Sequence, residues 1–215
     1  MNNNYLEKLK SGIKGRVLVY IDAANLERSV QDMWVSPKDV PNELKSYSAN
    51  NLCWRIDYKK FNRFFKEECG AQEIKFYSAD FETDSHKSFL RFLKKILKFK
   101  LETKPLKRYN DHTPEVPHRK ANFDVEIAVD ATFKLKKYET LILFSGDCDF
   151  EYLLKFIRGQ GKIAIVFSRT GHIAKELPPA SSYYFDVVDF RDYLLKIEPK
   201  KQKIPLMRDS AVDVS

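Results

Sequence analysis

The strongest constraint on the fold is a repeated pattern: short segments apolar over nearly their whole length alternate with longer segments of helical composition. RVLVYID (16–22) and the segments at 140–144 and 162–167 show no in-and-out alternation. A strand without alternation has both faces covered, so these segments predict an α/β fold: a mostly parallel sheet with helices on both faces. Between them, NLERSVQDMW has helical composition after strand 16–22, and Asp57 is placed to cap a helix whose Phe61, Phe64 and Phe65 share one face. EIKFYSA (73–79) reads as the next strand.

Over 86–98, Phe89, Phe92, Leu93, Ile96 and Leu97 recur at helical spacing, while Lys87, Arg91, Lys94, Lys95 and Lys98 occupy the remaining surface, which predicts an amphipathic, basic helix. A strand at 99–107, a Pro- and His-containing loop at 109–118 and a helix at 121–136 follow. The strand at 140–144 leads into a helix at 149–159. The strand at 162–167, a short helix near 172–177 and an apolar stretch at 184–190 complete the pattern. The expected organisation is an N-terminal lead (1–14), one domain over 15–197 with a Pro-containing insertion at 34–52, and a basic, flexible tail at 198–215.

Composition narrows the function classes. A chain of 215 residues with 43% hydrophobic residues is enough for one large domain. The 38 Lys and Arg against 30 Asp and Glu leave a net charge of +8, which favours polyanionic partners such as nucleic acid. No apolar run approaches the roughly 20 residues of a membrane span, and the N-terminus lacks a secretory signal, so no membrane and a cytoplasmic location are expected. Cys53, Cys69 and Cys148 show no CxxC spacing and are expected to be reduced, structural thiols.

Two strands run straight into acids: RVLVYID ends in Asp22, and LILFSGDCDF (141–150) carries Asp147 and Asp149. In a parallel α/β sheet, ligands bind beyond the carboxyl ends of the strands. If the two strands are neighbours, their carboxylates converge, and such a cluster stays ionised most readily around a divalent cation that prefers oxygen ligands. An aspartate preceding FEYLLKFI also suits helix capping.

The segments VYIDAANL (19–26), FDVEIAVD (123–130), LFSGDCDFEYLL (143–154) and GKIAIVFS (161–168) resemble the LabA-like subgroup of the NYN-domain family, within the PIN-like nucleases, over about residues 15–190. The resemblance implies a PIN-like (Rossmann-like) fold, a divalent-metal site of clustered aspartates binding Mg²⁺ or Mn²⁺, and RNA as substrate, with DNA as a second candidate and a homo-oligomer left open. It places family acids on Asp22, Asp124, Asp147 and Asp149 as catalytic and metal-binding residues, with Asn25 orienting a ligand or the attacking water. Ser145 and Asp130 are expected one layer out, because Asp124 and Asp130 are separated on a helix by about 9 Å of rise and about 120° of turn. Phosphate contacts are expected from Arg119, Lys120, Arg169 and His172, and from the ridge of Arg91, Lys94, Lys95 and Lys98. Ala23 stands where glycine is common in the family, and the 34–52 segment lengthens the first connection.

The expected activity is metal-assisted hydrolysis of RNA phosphodiester bonds; the alternative is a non-catalytic nucleic-acid-binding regulator on the same fold. Other hydrolase and cofactor classes fit poorly. No second acid forms a DxD at the first strand's end, no GxGxxG follows it, and no GxSxG elbow is present.

Overall fold

The structure, a computed structural model, describes residues 3–108 and 119–200. The elements are α1 (Asn3–Gly12), β1 (Val17–Asp22), α2 (Ala23–Gln31), β2 (Leu52–Ile56), α3 (Tyr58–Glu67), β3 (Ala71–Asp80), α4 (Asp84–Lys95), β4 (Lys100–Pro105), β5 (Lys107–Arg108) and β6 (Arg119–Lys120). There follow α5 (Asp124–Phe133), β7 (Thr140–Phe144), α6 (Glu151–Gly159), β8 (Ile163–Ser168), α7 (Leu177–Ala180), β9 (Tyr183–Asp186), α8 (Arg191–Leu194) and β10 (Leu195–Pro199).

Six strands form one sheet in the order β4-β3-β1-β7-β8-β9, and every pairing within it is parallel. The chain builds outward from β1 through β3 to β4, then crosses back to the other side of β1 to lay down β7, β8 and β9. The order in which strands are added therefore reverses between β1 and β7, where a doubly wound sheet opens its binding crevice.

The two faces of the sheet explain the unbroken apolar strands. Val19, Ile21, Ile142, Phe144, Ile165 and Phe167 face one cluster, in which Phe61 and Phe65 of α3 pack against Phe144 at ring separations of 4.9 and 5.3 Å. Leu18, Tyr20, Leu141, Leu143, Ala164 and Val166 face the other, against Ile127 of α5 and Leu154 of α6. Alternate residues of one strand thus enter two different cores, and neither set can be polar. As expected, Asp57 starts α3, its carboxylate accepting from the backbone N–H groups of Lys59 and Lys60.

Several boundaries differ from expectation. Leu52–Ile56, at the end of the expected insertion and just beyond it, is a strand paired antiparallel with β10, Ile56 facing Leu195 and Leu52 facing Pro199. The partner strand lies about 140 residues away and takes in Glu198 and Pro199, which the sequence assigns to the tail. The lead segment contains α1, whose Leu9 is fully buried in the first core. Helix α4 begins at Asp84 under a Thr83 cap and stops at Lys95, so Ile96, expected on its apolar face, is 66% exposed.

The helix expected at 121–136 is shorter, α5 giving way to a 3-10 turn at Leu135–Lys137. The short helix expected near 172–177 forms instead at the two prolines of α7. Of the cysteines, Cys53 and Cys69 are buried, but Cys148 is exposed. The expected loop at 109–118 and the tail beyond residue 200 lie outside the described residues. Among the described residues, no helix is long and apolar enough to cross a membrane.

Candidate functional site

β1 and β7 are direct neighbours, with Ile21 opposite Phe144, so the residues that leave these strands meet at one edge of the sheet. Asp22 ends β1 and also caps α2, its Oδ1 accepting from the Asn25 backbone N–H at 3.2 Å. Its other oxygen, Oδ2, accepts from the Ser145 hydroxyl at 3.4 Å. The same hydroxyl accepts from the Asp147 N–H at 3.3 Å, so one serine ties the ends of both strands together. Asn25 closes the arrangement from the opposite side, its Oδ1 accepting from the Gly146 N–H at 2.8 Å.

Gly146 has no room for a side chain. A Cβ there would fall 2.0 Å from the carbonyl oxygen of His172 and 2.7 Å from Ser168 Oγ. The reason is packing of the 169–174 loop, anchored by the Ala174 N–H donating to the Gly146 carbonyl at 2.9 Å.

A cavity of about 700 Å³ opens at this edge, with Asp22, Asn25, Asp124 and Asp147 among its lining residues. Asp124 comes from the first turn of α5, where its N–H is held by Asn122 Oδ1 at 3.0 Å. Three acids from three parts of the chain therefore line one cavity. Burial, with Asp124 and Asp147 adding repulsion, pushes the Asp22 carboxyl up to about 6 against the lowering effect of its bonds from Asn25 and Ser145. The donors are carboxylate oxygens, the ligand type a hard divalent cation prefers.

Asp149 is exposed and lies outside the cavity lining, although its carboxylate, that of Asp147 and the Cys148 thiol approach within 4.8 Å of one another. Desolvation and the two flanking aspartates raise the Cys148 pKa. Asp130 is held apart from the cluster: its Oδ2 accepts from Lys75 Nζ at 2.5 Å and from the Tyr77 hydroxyl at 2.7 Å. Lys75 also pairs with Glu102 at 2.9 Å, so Asp130 fastens α5 onto β3 and β4. Tyr77 reaches the cavity wall.

The expected phosphate contacts divide. Arg119 and Lys120 lie in β6, paired with Arg108 and Lys107 of β5, four and five residues ahead of Asp124 in sequence. Arg169 and His172 sit beyond β8 on the correct edge, but Arg169 pairs with Asp32 at 2.7 Å and also contacts the His172 ring. Lys94, Lys95 and Lys98 are not brought to the site. A crossover helix runs back along the sheet, so the end of α4 lies at the opposite edge, and Arg91 is exposed midway.

Phe81, His86 and Phe89, not among the expected site residues, line the same cavity, from the short connection after β3 and the first turns of α4. The available signal was an aromatic residue directly after a strand's carboxyl end, followed by the Thr83 cap.

The sequence that builds this site matches a family model. The NYN domain model aligns with residues 16–194, which includes all three cavity aspartates. The chain belongs to the NYN domain family. Its relatives include low amplitude and bright protein LabA of Synechococcus elongatus, 35% identical over 103 residues. That alignment takes in 47% of this chain and 55% of LabA, so the chain spans about half the length of the curated relative it matches. A Vibrio parahaemolyticus protein, described as of unknown function in its crystal structure, has the same fold. It superposes with a TM-score of 0.60 over 84% of this chain and 96% of its own, at 19% identity. The family is one of PIN-like nucleases, and the parallel sheet is the fold expected of it.

Proposed function

We propose that this NYN domain is a divalent-metal-dependent ribonuclease that hydrolyses RNA phosphodiester bonds at Asp22, Asp124 and Asp147. One observation carries the reading: three carboxylates from β1, α5 and the turn after β7 line a single cavity where the strand order reverses. Asp22, Asp124 and Asp147 would hold Mg²⁺ or Mn²⁺, with Asp149 at the rim. The bound cation would supply charge stabilisation on the scissile phosphate and activation of the nucleophile.

The protein's own contribution is preorganisation. Ser145 and Asn25 hold the ends of β1 and β7 at a fixed separation, so the carboxylates need not reorganise when a phosphate arrives. Asn25 is locked through its side-chain oxygen, which leaves the side-chain NH₂ to orient a ligand. Arg28 lines the same cavity, and with Arg119 and Lys120 it would take the flanking phosphates. Asp130 acts indirectly, fixing α5 and so the placement of Asp124.

The test is incubation of purified protein with end-labelled single- and double-stranded RNA and DNA in Mg²⁺, Mn²⁺ or EDTA. Cleavage of RNA that needs the cation supports the reading. Binding without cleavage under every metal condition replaces it with a nucleic-acid-binding regulator.

A further inference from the structure

The cavity lining includes an aromatic group that the hydrolytic chemistry does not use. Phe81, His86 and Phe89 line the same cavity as the carboxylates. Phe81 is 45% exposed, although a phenyl ring gains nothing from solvent, and it lies one residue beyond β3, the direct neighbour of β1. Its ring meets the His86 ring edge to face, with centroids 4.9 Å apart and planes at 84°. His86 is itself fixed. Its Nε2 lies 2.9 Å from the Ala79 carbonyl oxygen, which can only accept, so Nε2 carries the proton. Behind it Phe89 contacts Tyr58 and Phe76 of the core at 5.2 and 6.1 Å, so the aromatic wall is continuous with the hydrophobic interior.

We infer that Phe81 and His86 form a stacking subsite for one unpaired nucleobase, placed so that the phosphate beside that base lies at Asp22, Asp124 and Asp147. A flat apolar face supported by a fixed imidazole, on the same cavity as a phosphate-directed cluster, matches the two halves of a nucleotide. The size agrees, because about 700 Å³ is a typical small-ligand pocket and accommodates a nucleotide unit. A base can use the subsite only if it is unstacked and unpaired, which makes single-stranded nucleic acid the substrate class and excludes continuous duplex. The inference rests on the proposed function for where the phosphate goes, but not for the presence of the aromatic wall.

The test is binding of a fluorescein-labelled single-stranded RNA and of a duplex of equal length in EDTA, so that no turnover intervenes, using wild type, Phe81→Ala and Phe81→Trp across a salt series. Thermal unfolding of each variant checks that an exposed position leaves the fold intact. Losing one base stack should weaken single-strand binding about 5- to 150-fold, while Phe81→Trp should bind at least as tightly as wild type. The slope of log affinity against log salt should not move, because a stack releases no counterions. The inference is overturned if Phe81→Ala binds single strand as wild type does, if single strand and duplex lose affinity equally, or if wild type binds no single strand at all. If the Phe81 effect appears but no metal supports cleavage, the stacking subsite stands and the hydrolytic reading falls.

Discussion

The Asn25 side chain accepts a hydrogen bond from the backbone N–H of Gly146 at 2.8 Å, joining two residues 121 positions apart in sequence. Gly146 is buried, so its N–H has no ready substitute partner. Asn25→Ala should therefore cost about 1–3 kcal/mol of stability, the usual penalty for stranding a buried polar group. Urea denaturation checks this. Asn25→Ser, which keeps an oxygen but shortens the reach, should restore little of the loss.

Gly146 is demanded by space and not by backbone conformation, since its φ is not in the left-handed region. Gly146→Ala sets a methyl group against the His172 carbonyl, and backbone cannot swing aside as a side chain can. Loss of about 2 kcal/mol or more is expected, of the order seen for overpacked cores. Circular dichroism melting will show it. A variant as stable as wild type would mean that the 169–174 loop is free to move off the site.

Asp22 gives a pH dependence whose sign is fixed by its raised pKa of about 6. The folded state holds this proton more tightly than the unfolded state, so the native protein is favoured at low pH. That contribution is lost as pH rises from about 4 through 6. In EDTA, Asp22→Asn should be more stable than wild type at pH 7.5 by about 1–2 kcal/mol, allowing for partial solvent screening, and the advantage should vanish near pH 4. Paired urea titrations across this range test it. A constant difference with pH would show that Asp22 is not electrostatically crowded.

Lys98 has a φ of 60°, left-handed backbone that a lysine adopts at a cost, just past the end of α4. Lys98→Gly should raise stability by about 1 kcal/mol, or roughly 2–4 °C in melting temperature for a chain of this size. The same variant addresses its expected role in nucleic-acid binding. At the sheet edge remote from the cavity, its removal should leave RNA affinity nearly unchanged.

The parallel sheet was legible because its central strands are buried on both faces, and the same unbroken apolar runs cannot be mistaken for one-sided strands. Convergence of Asp22 and Asp147 needed one further fact, the adjacency of β1 and β7, which strand-end chemistry suggests but only topology provides. The β2–β10 pair is not legible because its signal is non-local: charged residues interrupt LCWRI and LKIEP, and their pairing spans most of the chain. Phe81 and His86 escaped for the opposite reason. Aromatic residues near a helix start read as core, and only the exposure of Phe81 separates a platform from a packing residue. The basic ridge was legible as a surface, but residue spacing carries no information on which end of the sheet it reaches.

The central claim is that the acids at the β1–β7 edge perform hydrolysis, and Asp147→Asn tests it most directly. Asparagine retains the Oδ1 that accepts from the Asp149 N–H at 3.2 Å, so the local turn and the fold should survive, while the charge needed to hold a cation is removed. The measurement is the rate of cleavage of end-labelled single-stranded RNA in Mn²⁺ by wild type and by Asp147→Asn, alongside a gel shift of the same RNA in EDTA. The account predicts a loss of at least about 100-fold in rate, corresponding to about 2.7 kcal/mol of transition-state stabilisation, with the shift retained. Equal cleavage by the two proteins would contradict it and leave Asp147 as no more than the cap of the turn that follows.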